Sequence, residues 1–254
     1  MAMTSIRENK LLGKVISFAF WMLVWYLCAL KVGKELILPS PFAVIDSLGR
    51  LIVTSRFWLA TATTIFRIIT GYMLGIVLAV LLAILTCCSS LADSLLSPLI
   101  RIVRATPVAS FIILALLWMN RTAVPILMSM LMVIPVVWEN IIAQYQATDR
   151  NLLEMAKAYQ LSGWKKFRYI YVPSAFPGFL AGCVSAMGLA WKSGIAAEVL
   201  SQPLRAIGTD LYYAKIYLET PDLFAWTSVV IILSMCIEKI IRKVLFRGKS
   251  NEGK

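Results

Sequence analysis

The chain contains no histidine. Chemistry that needs imidazole as a general base or metal ligand is therefore closed to it. Charge is scarce as well: Asp, Glu, Lys and Arg make up 15% of the 254 residues, against 60% hydrophobic residues and a mean hydropathy of +0.80. A soluble globule needs a polar surface that this composition does not supply, so the chain reads as an integral membrane protein. Its five cysteines, Cys28, Cys87, Cys88, Cys183 and Cys236, form no CxxC pair and read as buried small hydrophobes. Paired acidic residues are missing from the apolar runs, which leaves a membrane-embedded enzyme without its acid and base. The chain is not expected to be an enzyme.

The net charge of +12 lies beside and between the apolar runs, a pattern of membrane orientation and not of phosphate-backbone binding. Because a bilayer core is crossed by roughly 20 helical residues, spans are expected near Val15–Leu30, Thr64–Leu85, Leu95–Trp118, Ala123–Ala143, Gly178–Leu200 and Leu223–Leu245. The expected fold is all-α, a polytopic transmembrane helical bundle of about six spans forming a single domain over residues 1–254. With the N-terminus inside, fourteen Lys and Arg fall on the inner side and seven on the outer, which favours cytoplasmic termini. Arg7, Lys10 and Lys14 precede the first span as in a signal peptide, but without a convincing cleavage site they read as flanking an uncleaved anchor. Residues 42–59 read as an amphipathic helix at the outer face. In the second span Gly71, Gly75 and Ala79 recur every fourth residue, which lets helices approach closely, and Arg67 must lie near an interface or be paired. Pro98 and Pro107 are expected to break the third span. Gly248-Lys249-Ser250 resembles the end of a phosphate-binding loop but lacks its earlier glycine, so no nucleotide site is read there.

Between the fourth and fifth spans runs NLLEMAKAYQLSGWKKFRYIYVPSAFP, Asn151 to Pro177, the longest charged interruption. Leu152, Leu153, Ala156 and Tyr159 fall at helical spacing. Ser162-Gly163 marks a turn, a second amphipathic piece follows with Trp164, Phe167, Ile170 and Tyr171, and Pro173 and Pro177 are expected to stop it. Such a protrusion suits a groove on another protein; the plainer alternative is a loop lying on lipid headgroups.

These residues resemble the EAA loop of the permease subunits of bacterial ABC importers: Glu-Ala-Ala, three residues, Gly, nine residues, Ile-x-Leu-Pro. Glu154, Met155, Ala156, Gln160, Ile170, Val172 and Pro173 stand in register, with Met155 for Ala, Val172 for Leu and Gln160 for the glycine. Either Gln160 or Gly163 would then set the turn. The resemblance covers roughly residues 57–245, with the loop at 147–177. It implies a cytoplasmic ATPase docked on the loop, no cofactor in this chain because the partner binds the ATP, an extracytoplasmic solute-binding protein, and a second permease copy.

In the fifth span Gly178, Gly182, Ala186, Ala190 and Gly194 place a small residue at every fourth position, with Glu198 at the next step. That seam allows a close helix contact or a narrow path. Lys192 and Glu198 are functional candidates as charges in or near a span; alternatively Glu198 sits in water and Lys192 snorkels. The run Ala190 to Glu198 resembles the branch of the family serving nitrate, aliphatic sulfonates, taurine, bicarbonate and some vitamin precursors, in which this helix faces the path. The competing function is a secondary transporter or channel not driven by ATP.

Overall fold

A computed structural model describes residues 2–246; the side chains of residues 2–12, 14 and 246 lie outside the description. The basic residues Arg7, Lys10, Lys14, Arg247, Lys249 and Lys254, and the Gly248–Ser250 tripeptide, therefore fall outside the described side chains. Regular structure among the described residues is helical: α1 (Ala2–Val32), α2 (Pro41–Ile52), α3 (Ser55–Cys88), α4 (Ser90–Ala105), α5 (Val108–Ala115), α6 (Ala123–Gln146), α7 (Arg150–Ala158), α8 (Gly163–Lys166), a π-turn (Phe167–Tyr171), α9 (Val172–Ser201), α10 (Ile207–Ile216) and α11 (Thr220–Phe246). Five segments are long and apolar enough to cross a membrane, and α4 with α5 makes a sixth if that bent pair counts as one span.

The residues divide into two compact units, one made of the chain up to Trp58 with Asp210–Val230, the other of Leu59–Thr209 with the chain from Ile231 onward. In the first unit, Ser40 caps α2 by accepting a hydrogen bond from the Ala43 N–H at 3.2 Å, with Pro41 pre-set at the first helical position. The helix ends at Ile52, short of the expected 42–59, because Thr54 accepts from the Phe57 N–H at 3.3 Å and starts α3. Trp25 donates to the Pro39 carbonyl at 3.1 Å and stacks on Phe224, while Phe57 stacks on Trp226 with centroids 5.1 Å apart.

In the second unit α6 packs along α9, and α3 closes on α6. Lipid tails are as apolar as leucine, so close packing and hydrogen bonds hold such helices together instead of burial from water. A side-chain carbon on Gly75 would lie 2.7 Å from the Val133 Cβ, and one on Gly178 would lie 2.5 Å from the Asn140 carbonyl. The four-residue small patterns of α3 and α9 are thus the places where α6 approaches both. Ser129 of α6 donates to the Ala190 carbonyl at 3.1 Å, Tyr72 donates to the Cys183 carbonyl at 2.9 Å, and the Trp138 indole donates to Thr86 at 3.1 Å. Large apolar side chains such as Phe66, Val77, Leu81, Ile231 and Met235 point outward, the surface that lipid requires.

Three expectations are corrected. Pro98 is accommodated inside α4; the break falls at Thr106, which is driven to an extended conformation (ψ 129°) by the following Pro107, and the chain bends there by 101°. Pro173 and Pro177 do not end a helix: the chain is helical from Gly163 to Ser201, with Pro173 in the first turn of α9, where its missing N–H costs little, and the π-turn just before it. Of the cysteines only Cys183 is buried; Cys28, Cys88 and Cys236 are exposed on the apolar outside of the chain.

Candidate functional site

Two arrangements in the second unit bring the chemistry-bearing residues together. The first is buried. Glu198, fully enclosed near the end of α9, accepts hydrogen bonds from Thr64 Oγ1 (2.8 Å), Arg67 Nη1 (3.1 Å) and the Gly208 N–H (3.2 Å). Arg67, also buried, turns its remaining donors to the carbonyls of Leu204 (2.9 Å) and Arg205 (3.3 Å). Thr64 meanwhile accepts from the Ile207 N–H at 3.0 Å. An isolated charge in a span costs about 2.5–3.5 kcal/mol on insertion scales, and here each charge is the other's counter-ion, with Arg67 also donating to two backbone carbonyls. The connection between α9 and α10 is thereby fastened to α3. Gln202 and Arg205 take left-handed backbone conformations (φ 48° and 53°), which allow it to fold back over the pair.

The expectation that Arg67 needs a partner is met, and the alternative of a water-exposed Glu198 is excluded by its burial. The pairing itself was missed by sequence reasoning. Its signal was two opposite charges in otherwise apolar helices, but their long separation in sequence concealed their contact. Lys192 is exposed on the far side of α9 and makes no ion pair among the described residues. Gly178, Gly182, Ala186, Ala190 and Gly194 are all buried: the first two face α6, and Gly194 lies against both Ile68 of α3 and Ser129 of α6.

The second arrangement is exposed. Asp149 caps α7 by accepting from the Asn151 N–H at 2.9 Å. At the other end the Gln160 N–H bonds to the Lys157 carbonyl (3.0 Å) and the Leu161 N–H to the Ala156 carbonyl (2.9 Å), with Gln160 at φ 49°. This is a Schellman termination, and its left-handed residue is usually glycine. The turn is therefore set by Gln160, the position of the family's glycine. Gly163 instead begins α8 after Ser162, with ordinary helical geometry.

Ala156 and Ile170 are buried and Leu153 and Leu161 are half-buried, so these hold the loop to its own chain. The side chains presented outward are Leu152, Met155, Tyr159 and Trp164, the last two 76% and 69% exposed. Around them Glu154, Lys157, Lys165 and Arg168 are exposed and form no ion pair among the described residues. Val172 and Pro173 are exposed as well. α7 is thus a short capped helix with a mixed apolar and charged exposed face, its own fold secured underneath by Ala156 and Ile170.

These features define a polytopic helical permease. The profile of the binding-protein-dependent transport system inner membrane component family matches residues 71–247, and the chain belongs to that family. Among its relatives, an Escherichia coli K12 protein named as an aliphatic sulfonates transport permease, SsuC, is 34% identical over 204 residues, covering 78% of this chain and 75% of the relative. The taurine transport system permease protein TauC of the same organism is 22% identical over 225 residues, covering 86% and 81%. A crystal structure of an amino acid ABC transporter with histidines matches with a TM-score of 0.57 at 16% identity over 87% of this chain and 95% of that one, a likeness of fold.

Proposed function

We propose that this chain is the membrane-spanning subunit of an ATP-driven importer for a small organic anion of the sulfonate or taurine kind, and that α7 and α8 dock into a separate cytoplasmic ATPase. The observation that carries the coupling is the exposed set of Leu152, Met155, Tyr159 and Trp164 on α7, its capped end and α8, beside charges that form no ion pair among the described residues. Hydrophobic residues in this arrangement remain unsatisfied until a partner covers them. The preference for sulfonates rests on the SsuC and TauC relatives.

On this reading both termini and α7 are cytoplasmic, a second copy of the chain completes the path, and a solute-binding protein delivers cargo from the other side. ATP is bound and hydrolysed by the partner, with no cofactor held here. The test is uptake of labelled sulfonate by vesicles carrying this chain together with a candidate ATPase and binding protein of the importer. Uptake that stops when ATP is removed is expected; equal uptake driven by an ion gradient without the ATPase would favour a secondary transporter.

A further inference from the structure

Where α3 and α6 end and α9 begins, the second unit holds a cavity of about 290 Å³ that neither the coupling face nor the buried charge pair uses. Its walls include Ile84 of α3, Ile141 and Tyr145 of α6, Phe167 and Tyr171 of the π-turn, and Phe176 of α9. No charged side chain lines it, and the only polar groups of its lining side chains are the Cys87 thiol and two phenols. Ile84 and Phe176 are exposed, so the cavity opens on the apolar outside of the chain, while the buried Ala83 closes its inner side.

Water finds too few partners in such a lining, and an empty cavity leaves its wall atoms without contacts on one side. A hydrocarbon tail supplies those contacts. Because the same tail meets equally apolar neighbours elsewhere in a bilayer, it gives little selectivity by itself. Any preference must come from what stands at the rim.

Tyr145 and Tyr171 lie together with ring centroids 4.6 Å apart, and Trp164 and Tyr169 are exposed beside them in the chain. Tyrosine and tryptophan collect at the level of lipid headgroups, which places the mouth of the cavity where phosphates lie. Lys166 and Arg168 flank Phe167, each roughly a quarter-turn around the helix from that lining residue. Their stems are long enough to carry the charge to the rim, and neither forms an ion pair among the described residues. From Asp149 to Tyr171 five cations outnumber two carboxylates. Asp93, the carboxylate beside Cys87, accepts from Ser97 Oγ at 2.5 Å. The surplus at this end is therefore positive and complements a phosphate.

We propose that this cavity holds an acyl chain of an anionic phospholipid, taken from the leaflet on the side where α7 protrudes, with Lys166 and Arg168 at its phosphate.

The test uses the full chain in phosphatidylcholine nanodiscs, doped with either a phosphatidylglycerol or a phosphatidylcholine that carries a diazirine in one acyl tail, and maps the photolabelled residues by mass spectrometry. Labelling concentrated on the cavity walls around Ile84 and Phe176 is expected, about tenfold stronger with the anionic probe. Lys166→Gln combined with Arg168→Gln should bring the two probes to within about twofold of each other. Ala175→Phe, which fills the cavity, should reduce labelling by both probes several-fold. If that variant lowers the thermal midpoint, the charge variant, whose side chains lie outside the walls, decides alone. Labelling spread evenly over the outward-facing residues, equal labelling of the walls by both probes, selectivity unchanged in the charge variant, or cross-links showing a second copy of the chain seated in the cavity would each overturn the proposal.

Discussion

Glu198 and Glu154 are both carboxylates of the second unit, and they are treated in opposite ways. Glu198 is fully enclosed and takes donors from Thr64, Arg67 and the Gly208 backbone, while Glu154 stands in the open without an ion pair among the described residues. A buried carboxylate without its donors would be intolerable, so the α9–α10 connection is folded to supply them. An exposed carboxylate is hydrated and imposes nothing on its own fold. The first charge therefore reports how the chain holds itself, and the second is left free of that demand.

The largest effect should come from dismantling the buried pair. Glu198→Ala leaves Arg67 enclosed without a counter-charge and should cost about 3–5 kcal/mol, read as lost membrane abundance and a lowered thermal midpoint of the purified chain. Arg67→Ala should do similar damage, and the double variant should cost less than the two single losses added together.

A smaller effect should follow the glycines of α9, graded by the space each one has. Gly178→Ala places its new carbon against the Asn140 carbonyl and should destabilise by about 1–3 kcal/mol. Gly182→Ala meets Asn140 and Val137 at 3.1 and 3.2 Å and should cost less, whereas Gly188→Ala has nothing within 4 Å and should be neutral or slightly stabilising. Thermal unfolding of the three variants side by side reads the order. Gly182→Leu should, in addition, reduce uptake strongly.

The smallest effect is at the coupling turn. Gln160→Gly removes the strain of a left-handed side chain and should stabilise by up to about 1 kcal/mol, while Gly163→Ala, with open space around it, should change little. If Gly163→Ala were the more damaging of the two, the turn would have been assigned to the wrong residue.

Much of this was legible beforehand. Hydropathy announced the membrane class because no other fold can use so apolar a surface, and the spacing of small residues in α3 and α9 announced the close contacts with α6. The helical spacing of Leu152, Leu153 and Ala156 announced the short helix α7. Less legible was the helix running from Gly163 through Pro173 and Pro177, since proline reads as a stop unless it falls in a helix's first turn or follows a widened one. Which side of α7 faces inward was not legible: Leu152, Leu153, Ala156 and Tyr159 fall at helical spacing, but spacing does not say that Ala156 is buried against the chain itself while Leu152 and Tyr159 are exposed. The Arg67–Glu198 pair was hidden because contact across so many residues is a property of the fold alone.

The most direct test of the coupling claim is to purify Glu154→Lys and Tyr159→Ala beside the unaltered chain, each expressed with the ATPase, and to measure ATPase recovered per permease together with thermal stability. Both side chains are exposed, so the account predicts unchanged stability and abundance with ATPase recovery reduced about tenfold or more. Full recovery of an active ATPase by both variants, with uptake still linked to hydrolysis, would contradict the assignment of α7 as the docking surface.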